Sequence, residues 1–295
     1  MTILKINEID NPNKEKIKPI KEKQDIFIPN IIDKNIPRRN GSIIIFTGSG
    51  GSGKTSTLLN MFKSNNQYRS KFHNLYYFCP LASFLSVAKH PFEKLENLHH
   101  ELTVDALEQI YNQLVSRKEA YEEYLEKKKE KQKNKNKKRK QKVQFVEYLD
   151  ENSDSDSDDS NDVTEIEYSC IIIDDFANDL KNNDIQKQLN KMLIKARHLC
   201  CTFIFTLQSY LYFPKMLRKQ ITYAVIFKPK SIAEWNSIAD ELLHYNKEDS
   251  LKLFNYIFNE PYSTFDYDTV ENKIYKNFNL LQIENLKNKI YSICI

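Results

Sequence analysis

Glycine is scarce in this chain of 295 residues. It holds five, at 41, 48, 50, 51 and 53, so all lie within thirteen residues and none follows Gly53. The backbone freedom that glycine confers is therefore concentrated in one window. Cysteine is also sparse, and Cys79, Cys170, Cys200, Cys201 and Cys294 show neither C-x-x-C spacing nor a paired histidine. That excludes a disulfide framework and a zinc site of the usual spacing, and leaves small buried hydrophobes in a reducing compartment. No run approaches 18 apolar residues, and the amino-terminal Met-Thr-Ile-Leu-Lys-Ile-Asn-Glu lacks the apolar core of a signal peptide. No membrane insertion and an intracellular location are expected. Arginine is rare too, at seven against 37 lysines, which makes each one worth placing.

The net charge of +4 hides two opposed blocks. Residues 127–142 carry eleven Lys/Arg against one Glu, and residues 147–167 carry ten acidic residues and no base. Neither block can build a core, so 127–165 reads as a solvated, disordered insertion. In it the preceding helix extends as a charged stalk before the tract Ser153-Asp-Ser-Asp-Ser-Asp-Asp-Ser160. The basic run can neutralise DNA phosphates or lie against the acidic tract, and composition does not choose between them.

What the glycine window contains is Gly48-Ser49-Gly50-Gly51-Ser52-Gly53-Lys54-Thr55, which meets the phosphate-loop pattern G-x-x-x-x-G-K-[ST] at every fixed position. A triphosphate must be approached closely by main chain, and the converging N–H groups and the following helix dipole then hold it. Lys54 supplies a mobile charge for the β- and γ-phosphates of ATP, Thr55 a hydroxyl for Mg²⁺, and Ser56 continues the cradle. The flanks agree, with Ser42-Ile43-Ile44-Ile45-Phe46 reading as a buried strand and residues 56–63 as a helix.

A second apolar run, Ile171-Ile172-Ile173, delivers Asp174-Asp175. Such a strand end suits a Walker B pair, in which Asp174 holds Mg²⁺ and Asp175 orients and deprotonates water. At the end of the next strand Gln208 is positioned to sense the γ-phosphate or orient water, because the carboxyl ends of parallel strands form the ligand crevice. Arg197 precedes that strand. It is either an arginine finger, for which lysine substitutes poorly, or a solvated helix-end residue favoured by the dipole.

Strand-like runs at 42–46, 75–79, 168–173, 202–207 and 223–227 alternate with helical stretches. The expected fold is α/β, a mostly parallel twisted sheet with helices on both faces. Residues 1–38 form an arm, 39–126 and 166–230 the two parts of the core, and 231–295 an extension. In the extension a helix around Trp235 precedes short extended pieces over 262–278.

The loop at 48–55, Ile-Ile-Ile-Asp-Asp-Phe-Ala at 171–177, Ala196-Arg197-His198 and Phe-Thr-Leu-Gln-Ser at 205–209, in this order, resemble the FtsK/HerA superfamily of P-loop NTPases. Within it they resemble the poxvirus-like genome-packaging ATPases of large DNA viruses and virophages. That resemblance implies a RecA/FtsK-like core and a homo-oligomeric ring that pumps double-stranded DNA into a capsid through a capsid or portal-type component. It also implies a place in the host cytoplasm or viral factory, Arg197 acting across a subunit boundary, and Gln208 as sensor. Asp175 stands where FtsK-type members have Glu. A helicase, a transposition ATPase and a nucleotide-gated scaffold are the alternatives. A GTPase is disfavoured although Asn246-Lys247-Glu248-Asp249 matches N-K-x-D, since a D-x-x-G switch needs a glycine after Gly53.

Overall fold

The computed structural model describes residues 27–142 and 165–283. Six parallel strands form most of the sheet: β1 (Ile43–Thr47), β2 (Asn74–Phe78), β3 (Leu98–His99), β4 (Ser169–Asp174), β5 (Cys201–Leu207) and β6 (Tyr223–Phe227). An antiparallel meander of β7 (Thr264–Asp268), β8 (Lys273–Lys276) and β9 (Asn279–Leu280) continues it beyond β6, giving the order β3-β2-β4-β5-β1-β6-β7-β8-β9. The sheet is therefore mixed, and the extended pieces expected near the carboxyl end are its antiparallel margin.

Strands β1, β4, β5 and β6 are buried along their whole length because both faces are covered, which is why they read as unbroken apolar runs. Alternate residues feed opposite cores. Ile43, Ile45, Ile171, Ile173, Phe203 and Phe205 share a core with α3 (Val104–Lys142), α4 (Asn183–Ile194), α6 (Ile232–Leu242) and α7 (Lys247–Ile257). Ile44, Phe46, Ile172, Ile204 and Val225 face Leu58, Leu59 and Met61 of α1 (Lys54–Lys63). The last part of the arm packs on this second face through Ile28, Ile31 and Ile36, and is tied down where Tyr68 and Tyr223 donate to the carbonyls of Pro37 and Asn35 at 2.8 and 2.9 Å. Residues 1–26 lie outside the described residues.

Helix α3 holds the core through Leu107, Ile110, Tyr111 and Leu114 in its first third. It then continues through the basic run without a break, and its 39 residues span roughly 58 Å. The Ser/Asp tract and Cys294 lie outside the described residues, and the other four cysteines are buried thiols. Among the described residues no helix is long and apolar enough to cross a membrane.

The short helices α2 (Leu81–Leu85) and α5 (Lys215–Arg218), helix α7 and strand β3 escaped the sequence reading. Helix α7 begins where Asn246 caps it, accepting from the Asp249 amide at 2.9 Å while its own side-chain amide donates to the Asp249 carboxylate at 2.7 Å. The N-K-x-D match is thus a helix cap. The cap and the three-four spacing of Leu253, Phe254 and Ile257 were the available signals. Strand β3 has two residues and pairs only with β2, too short to leave a periodic trace.

Candidate active site

Parallel register brings three strand ends to one edge of the sheet. Thr47 lies opposite Leu207, and Asp174 opposite Thr206. The loop after β1, the aspartate pair after β4 and Gln208 after β5 consequently emerge side by side.

The loop is closed by its own main chain. The Gly48 amide donates to Leu207 at 3.1 Å, and the Ser52 amide to Ser49 at 3.2 Å. At Gly53 φ is +102°, a conformation that residues with a Cβ rarely adopt, and it turns the chain straight into α1. No side chain caps that helix and no acid lies in its first turn. Its first amides and the positive end of its dipole are therefore left for an anion. The Ser52 hydroxyl is buried within the loop without a partner, a second polar group awaiting a guest. Lys54 Nζ donates to the carbonyls of Gly48 and Ser49 at 2.7 and 2.9 Å, folding back over the loop. Partial burial pushes its pKa down, and the charges of Asp175 and Asp174 oppose that. A Cβ at Gly50 or Gly51 would meet nothing within 4 Å, and Ser49, Thr55 and Ser56 lie in the same loop and the first turn of α1.

The two aspartates are adjacent in sequence and opposite in environment. Asp174 is buried, its carboxylate accepting from the Tyr77 hydroxyl at 2.7 Å and from the Thr206 hydroxyl. Burial pushes its pKa above the ordinary carboxylate value, and those two hydrogen bonds act the other way. At Asp175 the backbone takes φ +63°, a left-handed turn that aspartate tolerates better than most residues, and this swings its carboxylate out to the surface. There Ser83 donates to it at 3.2 Å from α2 (Leu81–Leu85), and Gln208 Nε2 at 3.4 Å. Neutral donors on both oxygens fix the orientation of the carboxylate, an arrangement that suits a group positioning water.

A magnesium ion fits these residues. Among the described residues no three His, Cys, Asp or Glu gather into a metal cage. Mg²⁺ needs none, because it is usually held by one or two carboxylates, phosphate oxygens and water. The Thr55 hydroxyl and the Asp174 carboxylate are hard oxygen donors of that kind.

Arg197 is not part of this cluster. It is exposed in the turn between α4 and β5, at the amino-terminal edge of the sheet, where its backbone presses on Gly41. The length of β1 separates it from the loop by roughly 20 Å. Tyr77, Thr206 and Ser83 belong to the site without having been singled out from sequence. Their roles come from strand register and the position of α2, which leave no local signature.

No family model matches this sequence, and no curated protein matches it. Among solved structures the chain is similar to EssC (ATPases 2 and 3) from Geobacillus thermodenitrificans, with a TM-score of 0.50 and 14% identity over 83% of this chain and 41% of that one. It is likewise similar to the pCW3 conjugation coupling protein TcpA, with a TM-score of 0.50 and 12% identity over 83% and 61% of the two chains. Similarity also extends to B204, the DNA-packaging ATPase of Sulfolobus turreted icosahedral virus, with a TM-score of 0.47 and 14% identity over 83% and 98%. The chain has a P-loop NTPase fold. At these identities the likeness to EssC and TcpA is one of architecture.

Proposed function

We propose that this chain is an ATP-hydrolysing DNA translocase that works as a homo-oligomeric ring and packages double-stranded DNA into a capsid. One observation carries the hydrolytic part: the phosphate loop, a buried carboxylate and an exposed, doubly hydrogen-bonded carboxylate share one sheet edge with Gln208. In this reading Lys54 leaves the loop carbonyls for the β- and γ-phosphates. Thr55 and Asp174 hold Mg²⁺, which supplies charge neutralisation on the phosphates when bound. Asp175 takes the proton of the attacking water, and Gln208 orients it.

Arg197 acts in trans. Its exposure and its distance from its own loop support that role, since a guanidinium on the far edge can serve only a neighbouring subunit's nucleotide. The DNA part rests on the order of the four motifs, which resembles FtsK/HerA packaging ATPases. The described fold is compatible with it, as one architectural neighbour is a conjugation coupling protein.

Duplex-stimulated ATP hydrolysis by the purified chain tests this reading. Stimulation that is lost in Lys54→Ala supports the motor. Nucleotide binding with no turnover, with or without duplex, would instead identify a nucleotide-gated scaffold.

A further inference from the structure

The sheet order gives the site a direction. Asp175 and Gln208 lie on the β5 and β4 side of the phosphate loop, while β6 and β7 flank it on the other side. A triphosphate laid on the loop with its terminal phosphate toward Asp175 must send its nucleoside toward β6 and β7. Two aromatic rings stand there against Gly53. Phe227, the last residue of β6, is buried, and its ring comes within 3.4 Å of where a Cβ on Gly53 would be. Tyr262, two residues before β7, approaches the same point to 3.6 Å but is 73% exposed.

Tyr262 is unusual in a second way. Its φ is +62°, a region that bulky residues rarely occupy. Burial of the ring does not offset that cost, because most of the ring faces solvent beside the loop. An exposed aromatic face next to a phosphate cradle, on the side where the nucleoside must go, is a surface for a planar ring.

We propose that Tyr262 is the platform on which the base of the bound nucleotide stacks. This deepens the reading of the loop as a nucleotide site and rests on it. Stacking uses the π-face that every base has, so Tyr262 adds affinity without selecting adenine over guanine. It is a positioning residue, holding the nucleoside so that the phosphates settle on Lys54.

Equilibrium binding of two ligands with Mg²⁺ present separates this role from a structural one: a non-hydrolysable ATP analogue, and inorganic tripolyphosphate, which has no base. Tyr262→Ala is expected to weaken the ATP analogue roughly 5- to 150-fold while leaving tripolyphosphate unchanged. Tyr262→Phe, which keeps the ring, should bind both like the parent chain. The proposal is overturned if Tyr262→Ala binds the analogue as well as the parent does, loses both ligands equally, or is matched in its loss by Tyr262→Phe. Should the parent chain bind neither ligand, the nucleotide site itself fails, an outcome distinct from a parent that binds both and a Tyr262→Ala variant that changes nothing.

Discussion

Tyr77 and Thr206 are what allow a carboxylate to sit buried at the end of β4, since each donates a hydroxyl to Asp174. Removing one donor leaves a buried acceptor short of a partner. Tyr77→Phe is therefore expected to lower stability by about 1–3 kcal/mol in a denaturant melt. An unchanged midpoint would mean that the hydroxyl contributes little to holding Asp174. Asp175, by contrast, is exposed, and its expected role is chemical. Asp175→Asn should retain nucleotide affinity and lose turnover by roughly 100-fold or more, read by comparing binding with hydrolysis. The glycines divide in the same spirit. A Cβ on Gly41 would meet the Arg197 backbone at 2.5 Å, and its φ is +75°, whereas a Cβ on Gly50 meets nothing within 4 Å. Gly41→Ala should cost roughly 1–3 kcal/mol of stability and Gly50→Ala almost none, as thermal melts of the two would show. At this scale the motif residues were legible because their chemistry demands fixed spacing. Tyr77, Ser83 and Tyr262 were not, because each reaches the site from a different turn of the chain.

Among the elements, the long apolar strands were legible because burial on both faces removes alternation and leaves runs such as Ile171–Ile173. The margin of the sheet was harder to read, since β7 mixes Thr264, Asp266 and Asp268 with aromatics. Asp266 is the costly member of that strand. It is fully buried, accepting from the Phe278 amide at 2.6 Å through one oxygen while the other has no partner. Burial pushes its pKa up to about 7, against the pull of the Phe278 amide and the neighbouring Thr264 side chain. Between the ordinary carboxylate value near 4 and pH 7 the folded chain therefore holds a proton that the unfolded chain has released. Its contribution to stability is complete at low pH, falls as pH rises through that window, and is flat above it. The loss is about 4 kcal/mol at most. Asp266→Asn should flatten this slope and raise stability at pH 8. Denaturation curves from pH 4 to 8 that keep the parent's slope in the variant would assign the slope to other groups.

For the whole molecule, the two ends of the sheet carry different residues of the proposed site. The carboxyl-terminal edge gathers the phosphate loop with Asp174, Asp175 and Gln208, and the opposite edge exposes Arg197 in the turn before β5. One chain cannot bring these together, so the proposed ring is what would complete the site. Arg197→Ala and Lys54→Ala should each be inactive alone, and mixing them should restore part of the activity by pairing an intact loop with an intact arginine. Failure to recover activity at any ratio would count against a shared site. The basic continuation of α3 was legible as a charged, helical stalk but its end was not, because composition alone does not fix how far a helix runs once it leaves the core. The most direct measurement is ATP hydrolysis by the purified chain with magnesium, with and without duplex DNA, beside Lys54→Ala. A translocase should hydrolyse ATP faster with duplex and lose that turnover in the variant; a parent chain that neither binds nor hydrolyses ATP under those conditions would contradict the proposed function at its root.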